Sequence, residues 1–354
     1  MAEIDKVIEE EIVTPNSEEV DIELESDETT TVEEAVNETE AFFSNLAEDM
    51  SDEVLQRMSN QLLDDYKKDR VSRKDWETSY TSNLDLLGLN QREMTRPFRG
   101  SASVTHPLLS EAVTSFQAQA YKELLPSSGP VKTRVLGVED NEKMNQAQRV
   151  QDFMNYMITE EMEEYTPEFD QLLFYLALAG SAFKKVYYDE VMQRAVSKFI
   201  PAEDLVVPYY STDLMDCERI THVIKMGENE ILKKQESGFY RDVELKPSSK
   251  GPTEIEKKYQ ELEGITPGGE RQYSFSILEM HVDCNLEEFE MQNPEKQVKV
   301  PYIITIDEGS GQILSIYRNY DMNDETKKRK EYFVHFKFLP GLGFYGFGLT
   351  HMIG

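Results

Sequence analysis

The spacing of hydrophobic residues predicts helices over much of the first half of the chain. Apolar positions three and four residues apart predict amphipathic helices over residues 53–69, 75–88, 107–125 and 142–160. In the last of these helices the hydrophobic positions on one side are Met144, Ala147, Val150, Met154, Met157 and Ile158. The segment 167–179 is almost continuously apolar and ends at Gly180. Because it is too short to cross a membrane, we expect it to be a buried core helix.

Alternation of apolar and polar residues predicts strands elsewhere. The segments AFKKVYYD (182–189) and QRAVSKFI (193–200) surround Asp189 and Glu190, and together they predict a hairpin. A short strand is also predicted at KTRVLGV (132–138). Further strands or extended segments are predicted at 201–210, 218–226, 273–284, 300–307, 313–320 and 331–338. Short helices are predicted at 228–237 and within 241–270.

These elements predict an α+β fold in four parts. We expect an acidic disordered tail over 1–50, a mainly helical region with short strands over 51–268, and a β-rich region over 269–345. Residues 346–354 begin a further helical segment, and they end on an apolar stretch. We therefore expect this last segment to be truncated.

Charge changes this picture at the N-terminus. The chain carries 68 acidic and 37 basic residues, a net charge of −31, and residues 1–50 hold 18 of the acids and one lysine. Residues 1–41 have too few apolar groups to offset the entropy of ordering, which predicts a solubilising tail or a docking tail for a basic partner. Proteins that hold nucleic acid tightly need clustered Lys and Arg. We therefore expect any DNA partner to be repelled or to slide.

Three glycines match a nucleotide-binding pattern only superficially. Gly341, Gly343 and Gly346 have the spacing G-x-G-x-x-G. However, Phe344 and Tyr345 would crowd a pyrophosphate, and no strand–helix–strand unit follows. We interpret the segment as a backbone corner packed with aromatic rings, and we expect no cofactor.

The cysteines and histidines do not predict a catalytic or metal site. Strand alternation places His281 and Asp283 on one face and Cys284 on the other, and Cys217 with His222 forms an equally isolated pair. The histidines lack metal-ligand spacing. The acidic run at 160–164 lacks the glycine and alternating ligands of a calcium loop, so we expect a solvated helix face. No P-loop pattern occurs, and we expect a protein that is not an enzyme.

Two basic clusters are candidate contact sites. One is a run expected at a hairpin tip between strands, formed by Lys327, Lys328, Arg329 and Lys330. It is either a solvated loop or an electrostatic contact with an acidic partner or, transiently, with DNA. The other is the loop set of Arg92, Arg96 and Arg99, which could pair with acids on a neighbouring subunit.

Four stretches, taken in order, carry a resemblance to a known family. They are RGSASVTHPLLSEAVTSFQAQAYKELLPSSGPVKTRVLG (99–137), GSAFKKVYYDE (180–190), FIPAEDLVVPYYSTDLMDCERITHVIKM (199–226) and YFVHFKFLPGLGFYGFGLTHMIG (332–354). The chain resembles, over about residues 75–354, the N-terminal part of the portal (head-to-tail connector) proteins of short-tailed bacteriophages. Family members are longer, and further helices and a crown follow the last stretch.

The resemblance implies a virion structural protein at one capsid vertex, assembled in the host cytoplasm. It implies a homo-oligomeric ring, usually a dodecamer, through which double-stranded DNA passes during packaging and ejection. It also implies docking of the terminase large subunit and tail adaptors and contact with major capsid or scaffolding proteins. Residues 51–268 would form the wing, and 269–345 a lower wing or clip. The alternative is another ring-forming capsid or head-completion adaptor.

Overall fold

A computed structural model describes residues 41–87, 98, 107–138, 140–189, 192–245, 247, 251–264, 275–286 and 298–353. The chain divides into two compact units, 1–44 and 45–354. Most of the predicted disordered tail, residues 1–40, lies outside the described residues. The second unit begins at Asn45, inside the range assigned to that tail. The side chain of Asn45 is buried, donates to Leu314 O at 3.2 Å and accepts from Ile316 N at 3.0 Å.

The described residues form a mixed α+β fold, as predicted. The α-helices are α1 (Asp52–Ser72), α2 (Lys74–Asn83), α3 (Leu108–Leu124), α4 (Asn141–Tyr156), α5 (Tyr165–Ala179), α6 (Glu228–Glu236), α7 (Glu254–Glu263) and α8 (Leu349–Ile353). The strands are β1 (Ser181–Asp189), β2 (Arg194–Pro201), β3 (Leu205–Val206), β4 (Arg219–Met226), β5 (Phe275–Cys284), β6 (Val300–Asp307), β7 (Ile313–Arg318) and β8 (Phe333–Lys337). In the part of the chain that is described, no helix has the length and apolar character needed to cross a membrane.

The strands form two antiparallel sheets. One has the order β2-β1-β8 and the other β3-β4-β5-β6-β7. The predicted hairpin is confirmed, since Asp189 pairs with Arg194 at the end of β1 and β2. Strand β4 pairs with β5, and β1 pairs with β8. Each sheet therefore joins strands from both sides of residue 268.

The two sheets are covered by different helices. Helix α1 packs on the five-stranded sheet through Leu55, Met58, Leu62 and Tyr66, which are all buried. Helix α5 covers part of the three-stranded sheet, and its predicted burial is confirmed by Leu172, Leu173 and Ala177. It ends at Gly180, whose φ of 83° is a conformation that favours glycine. Each fully buried large apolar side chain contributes about 1.5–3 kcal/mol.

The predicted glycine corner is confirmed. Phe344 and Tyr345 are buried, and a Cβ atom at Gly346 would collide with the carbonyl oxygen of Gly180. The Tyr345 hydroxyl donates to Leu205 O at 2.7 Å. This corner therefore closes the core by backbone contact, which only glycine permits.

Arg73, between α1 and α2, links this corner to the helices. Its guanidinium is 2% exposed and donates to Ala202 O and Leu205 O at 3.0 Å, and to Glu203 O at 2.6 Å. It also contacts the Tyr345 hydroxyl at 3.0 Å. One side chain thus satisfies several buried acceptors from distant parts of the chain.

One local prediction, a strand at 132–138, was wrong. Residues 132–136 form no strand, because the backbone N–H of Thr133 bonds to a side chain of α4 instead of to another strand: Thr133 N donates to Gln151 Oε1 at 3.1 Å. Helix α3 begins at Leu108, one residue after the predicted start at Pro107, whose carbonyl oxygen accepts from Glu111 N at 3.0 Å. Its apolar stripe is only partly buried, through Leu109 and Val113.

Candidate functional site

The basic run lies in a connection between the two sheets. Residues 321–330, the basic loop, lead from β7 in the five-stranded sheet to β8 in the three-stranded sheet. The predicted hairpin tip is therefore wrong, because the flanking strands pair with different neighbours. Asp324 organises the loop by accepting from Thr326 Oγ1 at 2.7 Å and from Lys328 N at 2.8 Å. These hydrogen bonds hold the pKa of Asp324 below its usual value.

The four basic residues divide into two pairs. The guanidinium of Arg329 donates to the carbonyl oxygens of Leu214 and Cys217 at 2.7 and 2.8 Å, so it anchors the loop. Lys330 forms an ion pair with Asp321 at 2.7 Å. By contrast, Lys327 and Lys328 are exposed, and the ammonium of Lys327 lies 5.6 Å from the centroid of the Tyr320 ring. Of the four basic residues, Lys327 and Lys328 are therefore the exposed ones.

The second predicted cluster cannot be placed in the same way. Arg92, Arg96 and Arg99 all lie outside the described residues. Their suggested contact with a neighbouring subunit stays a prediction.

A charged cluster that the sequence did not reveal joins the sheets near the basic loop. Lys185 of β1 donates to both carboxylate oxygens of Glu279 on β5 at 2.6 Å. His281 Nε2 lies 2.9 Å from Glu279 Oε1, and its Nδ1 lies 3.4 Å from Asn319 Nδ2. Asn319 O in turn accepts from Lys330 N at 3.0 Å. We call Lys185, Glu279, His281 and Asn319 the intersheet cluster.

Burial and opposite charge act against each other in this cluster. Burial alone would raise the pKa of Glu279, but Lys185 and His281 hold it well below its usual value. Burial lowers the pKa of His281, although Glu279 opposes this shift. Burial also lowers the pKa of His222 on β4 to about 3. The two imidazoles and the ion pair of Lys185 with Glu279 therefore belong to the packing between the sheets.

The cysteine positions agree with a structural role. Cys284 packs in the core beneath α1, on the face opposite His281, as strand alternation predicted. The Cys217 thiol lies 3.3 Å from Ser211 Oγ and 3.1 Å from Arg219 O, and burial raises its pKa. A raised pKa keeps a thiol protonated and weakly nucleophilic. Among the described residues, no group of three or more His, Cys, Asp or Glu could hold a metal ion.

The acidic run at 160–164 is partly structural. Glu164 forms an ion pair with Arg194 at 2.9 Å and accepts from Ser197 N at 3.4 Å. Burial opposes its ionisation, but the bonds from Arg194 and Ser197 leave the pKa of Glu164 below its usual value. Glu160 and Glu163 are exposed, as expected of a solvated face.

The most unusual surface is a helical arm, which we define as residues 130–138 and helix α4. The polar side of α4 faces its own chain: Asn155 Oδ1 accepts from Val131 N at 2.9 Å, and Gln151 accepts from Thr133. None of the residues of α4 is buried. Its exposed apolar residues are Met144, Val150, Phe153, Met154 and Tyr156, and Leu136 and Val138 of the extended segment are exposed as well.

Most surface helices bury their apolar side, whereas α4 leaves its apolar and polar residues exposed alike, with only Ala147, Gln151 and Asn155 half-buried. Exposed apolar surface of this kind marks a contact with another body. The arm is therefore the strongest candidate for an interaction surface.

No protein-family model matches the chain, and no curated protein matches its sequence. The function proposed below consequently depends on the ordered resemblance of the four stretches and on the geometry of these surfaces.

Proposed function

We propose that the chain is a subunit of a phage portal, a ring at one capsid vertex through which DNA is packaged and ejected. The observation that carries this proposal is the arm, because a 16-residue helix with no buried residue needs a neighbour to cover its apolar side. In a ring every copy supplies one neighbour to the next, so a repeated surface of this kind is covered throughout. The four stretches that resemble portal proteins, in family order, support the same function.

The net charge suits a channel through which DNA slides better than a site that binds DNA tightly. With −31 charges per copy, a ring would repel the phosphates of duplex DNA rather than hold them. Tight binding would release counterions from many phosphates and would require clustered cations. Weak contact allows DNA to slide in either direction, so the role we propose is structural and not enzymatic.

The proposed partners follow from the same assignment. A terminase large subunit would supply the energy for packaging, and tail adaptors would dock after it. Capsid or scaffolding proteins would surround the ring. Lys327 and Lys328 of the basic loop would give an acidic partner an electrostatic contact on an otherwise acidic chain.

Electron microscopy of the purified chain, expressed without other phage proteins, tests the proposal. We expect ring-shaped particles with an axial hole wide enough for duplex DNA. Binding of a duplex of random sequence should be weak even at 50 mM salt. A chain that stays monomeric at every concentration, or one that binds duplex DNA tightly with a steep salt dependence, would contradict a portal function.

Terminase binding separates a portal from a head-completion adaptor. In a pull-down, a portal ring should retain the terminase large subunit encoded by the same phage. The double variant with Lys327→Glu and Lys328→Glu should still form intact rings. Rings that assemble but do not retain the terminase would favour the adaptor.

A further inference from the structure

A second uncovered apolar surface lies on the three-stranded sheet. Residues 182, 184, 186 and 188 of β1 share one face, and helix α5 covers only the first part of it. Lys184 marks the edge of the cover, since its ammonium lies 3.7 Å from the centroid of the Tyr165 ring in the first turn of α5. Beyond that point Val186 and Tyr188 are exposed, as is Val334, which pairs with Lys184 from β8. We call Val186, Tyr188 and Val334 the open sheet face.

The packing of helix α5 shows which kind of element this side of the sheet can bind. Over Ala182 and Phe336 the same surface is covered by an apolar helix, through Phe169, Leu172 and Leu173. Sheets in α+β proteins are stabilised when a helix layer continues over their apolar side. The open sheet face is thus the part of this sheet surface that helix α5 leaves uncovered. The described part of the chain offers one uncovered apolar helix of suitable length, α4.

Charge favours a second copy of the chain as the source of that helix. Two copies at −31 each repel one another over most of their surfaces. Residues 130–156 contain four acids and four bases, a net charge of zero. On the open sheet face, Val186, Tyr188 and Val334 carry no charge. These two surfaces can therefore meet without opposing like charges.

We infer that α4 of one copy packs on the open sheet face of the next copy, a head-to-tail contact that rests on the proposed ring and specifies its interface. Phe153, 60% exposed, and Tyr188, 59% exposed, are the central aromatic residues of the two sides. Because the two sides differ, each copy uses its arm toward one neighbour and its sheet face toward the other.

The size of the contact is consistent with a closed ring. Each apolar surface is on the order of a few hundred Å². A stable pair of proteins buries roughly 800 Å² on each partner, so a single contact between two copies is weak. Ring closure gives every copy two such contacts and removes both uncovered surfaces.

Cysteine cross-linking tests the contact directly. Both natural cysteines, Cys217 and Cys284, are buried, so a surface cysteine reacts selectively. A double variant with Phe153→Cys and Tyr188→Cys should give a ladder of covalent oligomers with a short bismaleimide. An equal mixture of the two single variants should stop at the dimer, because each copy then carries one reactive side.

Controls distinguish this contact from other arrangements. Cross-linking of Phe153→Cys alone would show a symmetric contact between two arms and would overturn the inference. The pair Phe153→Cys and Leu232→Cys should give no ladder, since Leu232, 55% exposed on α6, lies on neither surface.

Charge substitutions supply the second readout. Phe153→Glu and Tyr188→Glu should each abolish the ring without changing the circular dichroism spectrum, whereas Leu232→Glu should leave the ring intact. Rings that persist in Phe153→Glu would refute the inference, while the formation of rings would itself still support the portal function. A wild-type chain that never forms rings would refute both.

Discussion

Helices α1 and α4 are both amphipathic, yet they differ in what covers them. Over its 21 residues α1 buries Leu55, Met58 and Leu62 against the five-stranded sheet, and it ends beside the buried guanidinium of Arg73. Over its 16 residues α4 buries none, and it uses its polar side to bind the extended segment before it. The periodicity of hydrophobic residues therefore identifies a helix, but it does not identify the structural element or protein that covers the apolar side of that helix.

The difference has a physical meaning for assembly. The apolar side of α1 gains its stabilisation when a single chain folds. The apolar side of α4 stays in contact with water until another protein surface binds it. Its hydrophobic stabilisation is therefore gained on association and not on folding. Substitutions in the two helices should accordingly separate folding from assembly.

The largest contrast is expected between two arginines. Arg73→Ala should lower the free energy of unfolding by about 3–5 kcal/mol, because it leaves buried carbonyl oxygens without a donor. Arg149→Ala, on the exposed side of α4, should change it by less than about 0.5 kcal/mol. Urea unfolding of dilute protein measures both values. Equal effects would show that the fold holds Arg149 as firmly as it holds Arg73.

Two methionines give the same contrast with identical chemistry. Met58→Ala, in the core beneath α1, should cost about 2–5 kcal/mol, since a fully buried side chain leaves a cavity. Met154→Ala should cost less than about 0.5 kcal/mol in the dilute monomer but should weaken the ring. Urea unfolding and sedimentation velocity supply the two readouts. A large loss of monomer stability in Met154→Ala would place α4 in the folded core.

Lowering the pH should destabilise the folded core, which contains buried histidines, before it affects the arm. Burial lowers the pKa of His222 and of His335 to about 3, so the unfolded chain binds protons more readily than the folded chain below about pH 6.5. Stability should be fully present above that pH and should fall by about 1.4 kcal/mol per histidine for each unit toward pH 3. The loss attributable to Glu279, whose pKa is also lowered, begins only below about pH 4.5.

Urea unfolding of wild type and His222→Phe at pH 7.5, 6.0 and 5.0 measures this dependence. The slope between pH 6.0 and 5.0 should be shallower in the variant. Identical slopes would show that His222 does not contribute to the pH dependence of stability. Residues 130–156 contain no histidine, so the arm itself should not respond.

The smallest contrast lies within the basic loop. Arg329→Ala should destabilise the chain by about 1 kcal/mol, because its hydrogen bonds to Leu214 and Cys217 are lost from a half-exposed site. Lys328→Ala should leave stability unchanged within about 0.5 kcal/mol and should reduce only the binding of an acidic partner. If Lys328→Ala were the more destabilising of the two, the division of this loop into anchoring and exposed residues would be wrong.

Local signals in the sequence predicted local structure well. Gly180 correctly ended α5, and the alternation around Asp189 correctly gave the hairpin of β1 and β2. The aromatic residues beside Gly346 correctly indicated a packed corner. Each of these features depends on neighbours within a few residues.

Pairings over long distances were not predictable from such signals. Strand β8 pairs with β1 about 150 residues earlier, which turned an expected hairpin tip into a crossing between sheets. The role of Arg73 depends on carbonyl groups near residue 203 and on Tyr345. The segment 132–138 alternates like a strand, yet Thr133 N donates to the side chain of Gln151 on α4 instead of to another strand. In each example the deciding partner is remote in sequence.

Hydrogen exchange of α4 tests the central claim most directly. In wild-type protein at a concentration where rings form, amides of 141–156 should exchange more slowly than in Tyr188→Glu, whose own α4 is unaltered. Amides of 52–72, in the covered helix α1, should exchange at the same rate in both. Equal exchange of 141–156 in the two proteins would mean that no second copy covers α4, and it would contradict the account.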